Sequence, residues 1–370
     1  MKSRSNRRVD ADRICVLQAV SSVADGGLAR YVIDLMANVD RDRTAMHMVC
    51  THFEGPHFTE AAACASSSTN LGARGQLAKL RGLLKLIRNI GPDVVHTHQE
   101  PVALIAARLA GVPIRIETIH LAKYWLTDGH PATRAAARYS TTRYCVNNGA
   151  EKGIISPHVE AAKIEVIHPG LDSSRWTNYW TRANLPPGFA VGEASIVIGT
   201  IARLVEQKGV CHLVNAAASV FKSCPAARLL IVGDGDLRSE LALQCSALGI
   251  EDRVYFTGHM HDAYRSLGAM DIFVMPSLFE SWGFTAVEAM CAGVPVVCSD
   301  IHGPNEFIKH EQTGLLTPAG SAEDLANAIL RLCRDGEFQK ELGARGKRAI
   351  NARFSVQSMV QRYDQIYRSN

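Results

Sequence analysis

Residues 271–300 read DIFVMPSLFESWGFTAVEAMCAGVPVVCSD. Two apolar runs, 271–275 closed by Pro276 and 294–298 opened beside Gly293 and Pro295, flank a loop and a helical pattern. Short apolar runs punctuated by Pro and Gly predict buried strands, and two parallel strands joined by a helix make a βαβ unit. Ligands of such units sit outside the carboxyl ends of the strands, where the loop from Ser277 to Phe284 belongs. Glu280 falls in that loop, and Glu288, after seven intervening residues, falls in the first turn of a helix predicted to begin near Thr285. Between them Gly283 lets a backbone approach a ligand closely. Amides at Gly283, Phe284 and Thr285 would point out of a helix N-terminus, which favours a phosphate. A carboxylate one turn further in can accept two hydrogen bonds from a vicinal diol such as a ribose. The pattern suits a nucleotide diphosphate. Thr285-Ala-Val-Glu288 also spells a capping box, in which Thr caps the helix and Glu reaches back, so the local pattern leaves both readings open.

The longer string PSLFESWGFTAVEAMCAGVPVVCSD resembles the signature of retaining glycosyltransferases of family four, which have the two-domain GT-B fold. The resemblance implies that Glu280 lies beside the donor sugar, that Glu288 binds the ribose, and that the backbone of Gly283, Phe284 and Thr285 holds the diphosphate. This chain carries Ser281-Trp282-Gly283-Phe284 where family members often have Gly-Phe-Gly after the first Glu. The Gly-Phe step is kept. A second constellation, ARLVEQKG, is similar to the family motif around its Arg and Lys, which here are Arg203 and Lys208. A guanidinium and an ammonium fixed in one loop can stabilise the charge that builds on a departing nucleotide diphosphate. Taken without the resemblance, two basic loop residues are usually just a solvated surface.

Composition sets the wider limits. The chain has 370 residues, 47% hydrophobic and 21% charged, enough for two soluble domains. A net charge of +4 suits anionic donors or membrane surfaces but gives no argument for nucleic acid. Ten cysteines are scattered without a Cys-x-x-Cys pair, so buried thiols in a reducing compartment are expected and a disulfide framework is not. The start, MKSRSNRRVDADRICVLQAV, imitates a signal peptide, but Asp10, Asp12 and Arg13 interrupt it and the apolar run is short. It reads as a polar tail feeding the first strand. No stretch approaches the ~20 apolar residues of a membrane span. A cytoplasmic protein is expected.

The first half alternates strands, near 14–20, 46–51, 94–98, 114–120, 143–146 and 164–167, with helical patterns, which predicts a parallel sheet covered on both faces. Gly26-Gly27 precede an amphipathic helix without the Gly-x-Gly-x-x-Gly of a nicotinamide-binding fold. They resemble the family's glycine loop, which faces the donor phosphates. His120 ends the strand IRIETIH, at the rim where such sheets present ligand groups. The resemblance implies a bond from this His to a hydroxyl of the transferred sugar. His98, at the end of DVVHTH, is a candidate acceptor contact. Helix QLAKLRGLLKLIRNI, 76–90, either covers the sheet with its apolar face or lies on an anionic membrane through its Lys and Arg residues.

The expected organisation is α/β, two Rossmann-like domains of GT-B type with an interdomain cleft. Boundaries fall at 1–172 for the acceptor-side domain, 173–194 for a linker and 195–352 for the nucleotide-sugar domain. A last helix, 353–370, resembles the one that in this fold returns to the N-terminal domain. Gly258 and His259 occupy the loop that in the family meets the base through backbone groups. Asp234-Gly-Asp236 looks like an Asp-x-Asp metal site but sits in an ordinary turn before a helix, so no metal and no cofactor are expected. The expected activity is retaining transfer of a hexose-type sugar from a nucleotide sugar, a UDP-sugar by preference, to a hydroxyl acceptor. The alternatives are a nucleotide-sugar-binding protein without transfer, and a GT-B epimerase or sugar phosphate synthase. Partners are the donor and the acceptor, with weak peripheral membrane association as a hypothesis and the oligomeric state left open.

Overall fold

The computed structural model describes residues 13–23, 26–73, 75–172, 178–185, 189 and 191–369. The basic tail at 1–12 and the linker positions 173–177, 186–188 and 190 lie outside the described residues. The chain divides into two units, Met1–Leu171 with Phe354–Asn370, and Asp172–Arg353.

In the first unit seven strands form one sheet: β1 (Ile14–Val20), β2 (Thr44–Cys50), β3 (Ser67–Asn70), β4 (Val94–His98), β5 (Ile114–Ile119), β6 (Arg143–Val146) and β7 (Ile164–Val166), in the order β3-β2-β1-β4-β5-β6-β7. Every described pairing is parallel. Helices cover a parallel sheet on both faces, so its strands carry apolar runs. Leu17, Ala19, Val49 and Val95 pack with Leu83, Ile87, Val102 and Ala103 from the helices Gln76–Ile90 and Pro101–Leu109. The apolar face of helix Gln76–Ile90 is therefore turned to the sheet, with Leu77 left 59% exposed. Its Lys79 reaches the buried Glu100 at 3.0 Å, while Arg81, Lys85 and Arg88 stay exposed.

The opposite face of this sheet is lined by polar side chains, Gln18, His96 and Thr118, and is roofed by the C-terminal helix Val356–Tyr367. That helix enters through a parallel bridge of Leu171 with Ser355, made by Leu171 N–H to Phe354 O (3.0 Å) and Val356 N–H to Leu171 O (3.1 Å). Strand β3 was not visible in the sequence. Its residues SSTN are a polar edge with no apolar alternation to mark it.

In the second unit six strands, β8 (Ile196–Ile201), β9 (Ala227–Val232), β10 (Val254–Phe256), β11 (Ile272–Met275), β12 (Val296–Ser299) and β13 (Leu315–Thr317), run β10-β9-β8-β11-β12-β13, again all parallel. Ile198, Leu229, Ile231, Ile272, Val274 and Val297 share one core with helices Val210–Ser223 and Ala322–Arg334. Arg182 grips both oxygens of Asp271 (3.1 and 2.8 Å), and Val197 N–H donates to the same carboxylate at 2.7 Å. This ties the chain entering the unit to the starts of its two central strands, β8 and β11. In both sheets the order of strands reverses beside the first strand, between β1 and β4 and between β8 and β11, which is where open α/β sheets bind ligands.

Candidate active site

The loops leaving β8 and β11, on either side of the reversal in the second unit, are hydrogen-bonded to each other. Leu278 N–H donates to Gln207 O (2.8 Å) and Gln207 Nε2 to Phe279 O (3.0 Å). Gly209 has a left-handed φ of 59°, and a Cβ there would overlap the carbonyl oxygen of Pro276. The glycine in EQKG is thus what lets the β8 loop settle against the β11 loop.

That contact places Lys208, in the turn Glu206–Lys208, against Glu280. Lys208 Nζ donates to Glu280 Oε1, and Ser277 Oγ donates to the same oxygen at 3.0 Å. Glu280 Oε2 makes no hydrogen bond among the described residues and has both lone pairs available. The ammonium has three donors, so it can keep Glu280 and still bind a phosphate oxygen. Arg203, two residues past β8, is exposed and makes no side-chain hydrogen bond or ion pair among the described residues.

The helix after the β11 loop runs Phe284–Ala292, with Gly283 as its N-cap at φ 94° and no side-chain cap. The capping-box alternative is therefore corrected. Thr285 is already the second helical residue, and its hydroxyl faces Met275 Sδ at 3.9 Å instead of capping a turn. The first amides to close a turn are those of Ala286 and Val287 onto Gly283 O (3.1 and 3.3 Å). The amides of Phe284 and Thr285 stand ahead of that ladder, at the positive end of the dipole. A Cβ at Gly283 would come within 2.9 Å of Met275 Cε and 3.3 Å of its Sδ. Glu288, in the second turn of this helix, is near Tyr179. The Tyr179 phenol is pushed up to about 12, first by burial and then by the charges of Cys291 and Glu288. Tyr179 stands edge-on to Tyr264, with ring centroids 6.3 Å apart. The sequence reading missed Tyr179 and Ser277. The aromatic pair Tyr179-Trp180 in a polar linker was the one signal for the former.

Gly258 makes an antiparallel bridge to Gly233, whose N–H donates to Gly258 O at 3.1 Å, and His259 next to it is exposed. Asp234 Oδ1 accepts from Gly235 N–H at 2.8 Å, which accounts for this Asp as a turn former.

In the first unit, Gly26 (φ 120°) is the N-cap of helix Gly27–Asn38, again without a side-chain cap. Ala24 and Asp25 before it lie outside the described residues. His120 is half-buried at the end of β5, its ring edge-on to Tyr31 at 5.0 Å, and its Nε2 is 2.9 Å from His98 Nδ1. Burial pushes the His120 ring down to about 4, so it is neutral at pH 7. His98 is not placed to touch an acceptor. It is fully buried, with one ring nitrogen on His120 and the other 3.0 Å from Gln18 Oε1. A strand-end position reads as an exposed rim, but Gln18, the Tyr31 ring of helix Gly27–Asn38 and the rings of His96 and His120 pack around His98.

Two doubly wound parallel sheets in one chain, with the donor-type loops at the reversal of the second, define the GT-B architecture. The structure of Anabaena HepE in complex with UDP-glucose has the same fold, with a TM-score of 0.81 at 22% identity over 95% of this chain and 99% of that one. The profile described as Glycosyl transferases group 1 matches residues 182–349, and that described as Glycosyltransferase Family 4 matches residues 25–175. A UDP-Gal:alpha-D-GlcNAc-diphosphoundecaprenol alpha-1,3-galactosyltransferase of Escherichia coli is 28% identical over 312 residues, 80% of each chain. An alpha-D-kanosaminyltransferase of Streptomyces kanamyceticus is 27% identical over 323 residues, 80% of this chain and 82% of that one. The chain belongs to the GT-B glycosyltransferases of family four.

Proposed function

We propose that this glycosyltransferase moves a hexose-type sugar from a UDP-sugar to a hydroxyl acceptor with retention at the anomeric carbon, without a metal or other cofactor. The observation that carries the reading is the pairing of the two loops at the β8/β11 reversal. They bring the Lys208–Glu280 pair together, on loops that also carry Arg203 and the uncapped start of helix Phe284–Ala292. Arg203, Lys208 and the amides of Gly283, Phe284 and Thr285 hold the diphosphate and take up the charge of the departing UDP. Each such donor is worth about 10²–10³ in rate when aimed at developing charge. Glu280 accepts a hydroxyl of the donor sugar on its open oxygen, Glu288 accepts the ribose diol, and Gly258 and His259 meet the base through backbone groups. For Gly26 and Gly27 the family resemblance supports a role toward the donor phosphates, and for His120 a bond to a hydroxyl of the transferred sugar.

The donor preference is supported by the relatives. The Escherichia coli enzyme is named for UDP-Gal, and Anabaena HepE was solved with UDP-glucose. The Escherichia coli enzyme is named for a diphosphoundecaprenol-linked GlcNAc acceptor, which supports a lipid-linked saccharide as acceptor here, with a small natural product as the alternative. Exposed Arg81, Lys85 and Arg88 on helix Gln76–Ile90 suit weak contact with an anionic membrane from the cytoplasmic side. Flotation with anionic vesicles tests this, and absence of the protein from the vesicle fraction would remove it. No described helix is long and apolar enough to cross a membrane. The transfer itself is tested by incubating the protein with UDP-hexoses and candidate acceptors and following the anomeric proton by NMR. An α-linked product from an α-linked donor is expected; a β-linked product would overturn retention.

A further inference from the structure

A chain of buried hydrogen bonds runs from His120 to the C-terminal helix, entirely within the first unit. His120 Nε2 meets His98 Nδ1 (2.9 Å), and His98 Nε2 meets Gln18 Oε1 (3.0 Å). Gln18 Nε2 donates to Tyr367 OH (3.0 Å) and meets His96 Nδ1 (3.2 Å). Tyr367 OH is itself 2.8 Å from His96 Nδ1, and His96 Nε2 is 2.7 Å from Thr118 Oγ1. Thr118 Oγ1 continues to Tyr363 OH (2.8 Å) and Tyr363 OH to Tyr31 OH (2.6 Å). Gln18, His96, His98, Thr118, Tyr31, Tyr363 and Tyr367 are all essentially inaccessible to solvent.

The sense of this chain follows from what each atom can do. Burial keeps all three imidazoles neutral at pH 7, His96 near 3, His120 near 4 and His98 well below its usual range. Each ring therefore carries one N–H and one bare nitrogen. A carbonyl oxygen only accepts, so His98 must carry its hydrogen on Nε2 to meet Gln18 Oε1. Its Nδ1 is then bare and must accept, which obliges His120 to carry its hydrogen on Nε2. The remaining nitrogen, His120 Nδ1, is left as a lone-pair acceptor and makes no hydrogen bond among the described residues.

We propose that Gln18, held by Tyr367, is a positioning residue that fixes His120 through His98 in the tautomer with a bare Nδ1, so that His120 can only accept a hydrogen bond from a hydroxyl of the bound sugar. A histidine with hydrogen on Nδ1 could only donate there, and a hydroxyl would bind in the opposite sense. The tautomer is thus a specificity device built from strands β1, β4 and β5 and from the last helix of the chain. The consequence for the sugar rests on the role proposed for His120, but the tautomer itself does not.

The test is nitrogen NMR of the full chain labelled at histidine nitrogen, with His120 assigned by its loss in His120→Gln. The expected result at pH 7 is a protonated Nε2 and a bare Nδ1 on His120. A protonated Nδ1 would mean that the Gln18 amide is turned over, and would overturn the proposal. Gln18→Leu removes the acceptor facing His98 and should populate both tautomers, with kcat/KM falling roughly tenfold, the worth of about one hydrogen bond. An unaltered His120 spectrum in folded Gln18→Leu would also overturn it. If the tautomer is as expected but His120→Ala transfers sugar at the unchanged rate, the relay stands and the catalytic reading of His120 fails.

Discussion

At the scale of single residues, Glu280 is held by two donors on one oxygen and open on the other. Lys208→Ala removes the cation and leaves a largely buried carboxylate facing only Ser277. The expected outcome is a loss of about 10²–10³ in kcat/KM together with a lower unfolding midpoint, because the carboxylate loses its cation. Steady-state kinetics beside a thermal melt check both halves. Gly283→Ala meets a different obstacle, a left-handed backbone and the Met275 methyl at 2.9 Å. A cost of about 1–2 kcal/mol in stability is expected, together with weaker UDP binding, since the displaced amides are those proposed to hold the diphosphate. Denaturant titration and UDP titration measure the two effects; a variant with normal UDP affinity would argue against that role. The donor-side positions were legible because Arg203, Lys208, Glu280 and Gly283 sit in short strings that keep their spacing. The environment of His98 was not, because it is fixed by Gln18, 80 positions away, and through Gln18 by Tyr367, 349 positions further along the chain.

At the scale of elements, the strands with continuous apolar runs were readable, and β3, whose residues are polar, was not. The start of helix Phe284–Ala292 was read one residue late because Thr285 looks like a cap, whereas Gly283 provides the left-handed turn that begins it. The C-terminal helix was recognisable, but the reason for its tyrosines was hidden until they were seen to meet the polar face of the first sheet. Removing residues 354–370 should therefore expose His96, Thr118 and Gln18 and destabilise the first unit. Hydrogen exchange should show lost protection in β1 and β4 and retained protection in β8 and β11. Equal protection in both units would contradict the assignment of this helix to the first. The same buried face gives a pH dependence. Folded His96, His98 and His120 resist protonation while the unfolded rings accept protons near 6.5, so stability is full above about pH 6.5 and is lost as pH falls from there toward 4 and below. Glu117, pushed up to about 7 by burial, acts in the opposite sense, gaining stability on acidification, but it is one group against three. Denaturation midpoints between pH 8 and 5 should fall with acidification, and a flat profile would show that these rings are not buried neutral.

At the scale of the whole molecule, two sheets with the same reversal of strand order carry different chemistry at their carboxyl ends. The second offers cations and uncapped amides, and the first offers a neutral histidine backed by a buried polar network. This division is what the sequence resemblance implied, while the supports behind each site came only with the fold. The most direct test of the central claim, that the β8 and β11 loops together hold a nucleotide diphosphate, is calorimetric titration of UDP into the wild-type chain and into Arg203→Ala/Lys208→Ala. The account predicts binding to the wild type and at least a tenfold weaker affinity in the folded double variant; equal affinity in the two proteins would contradict it.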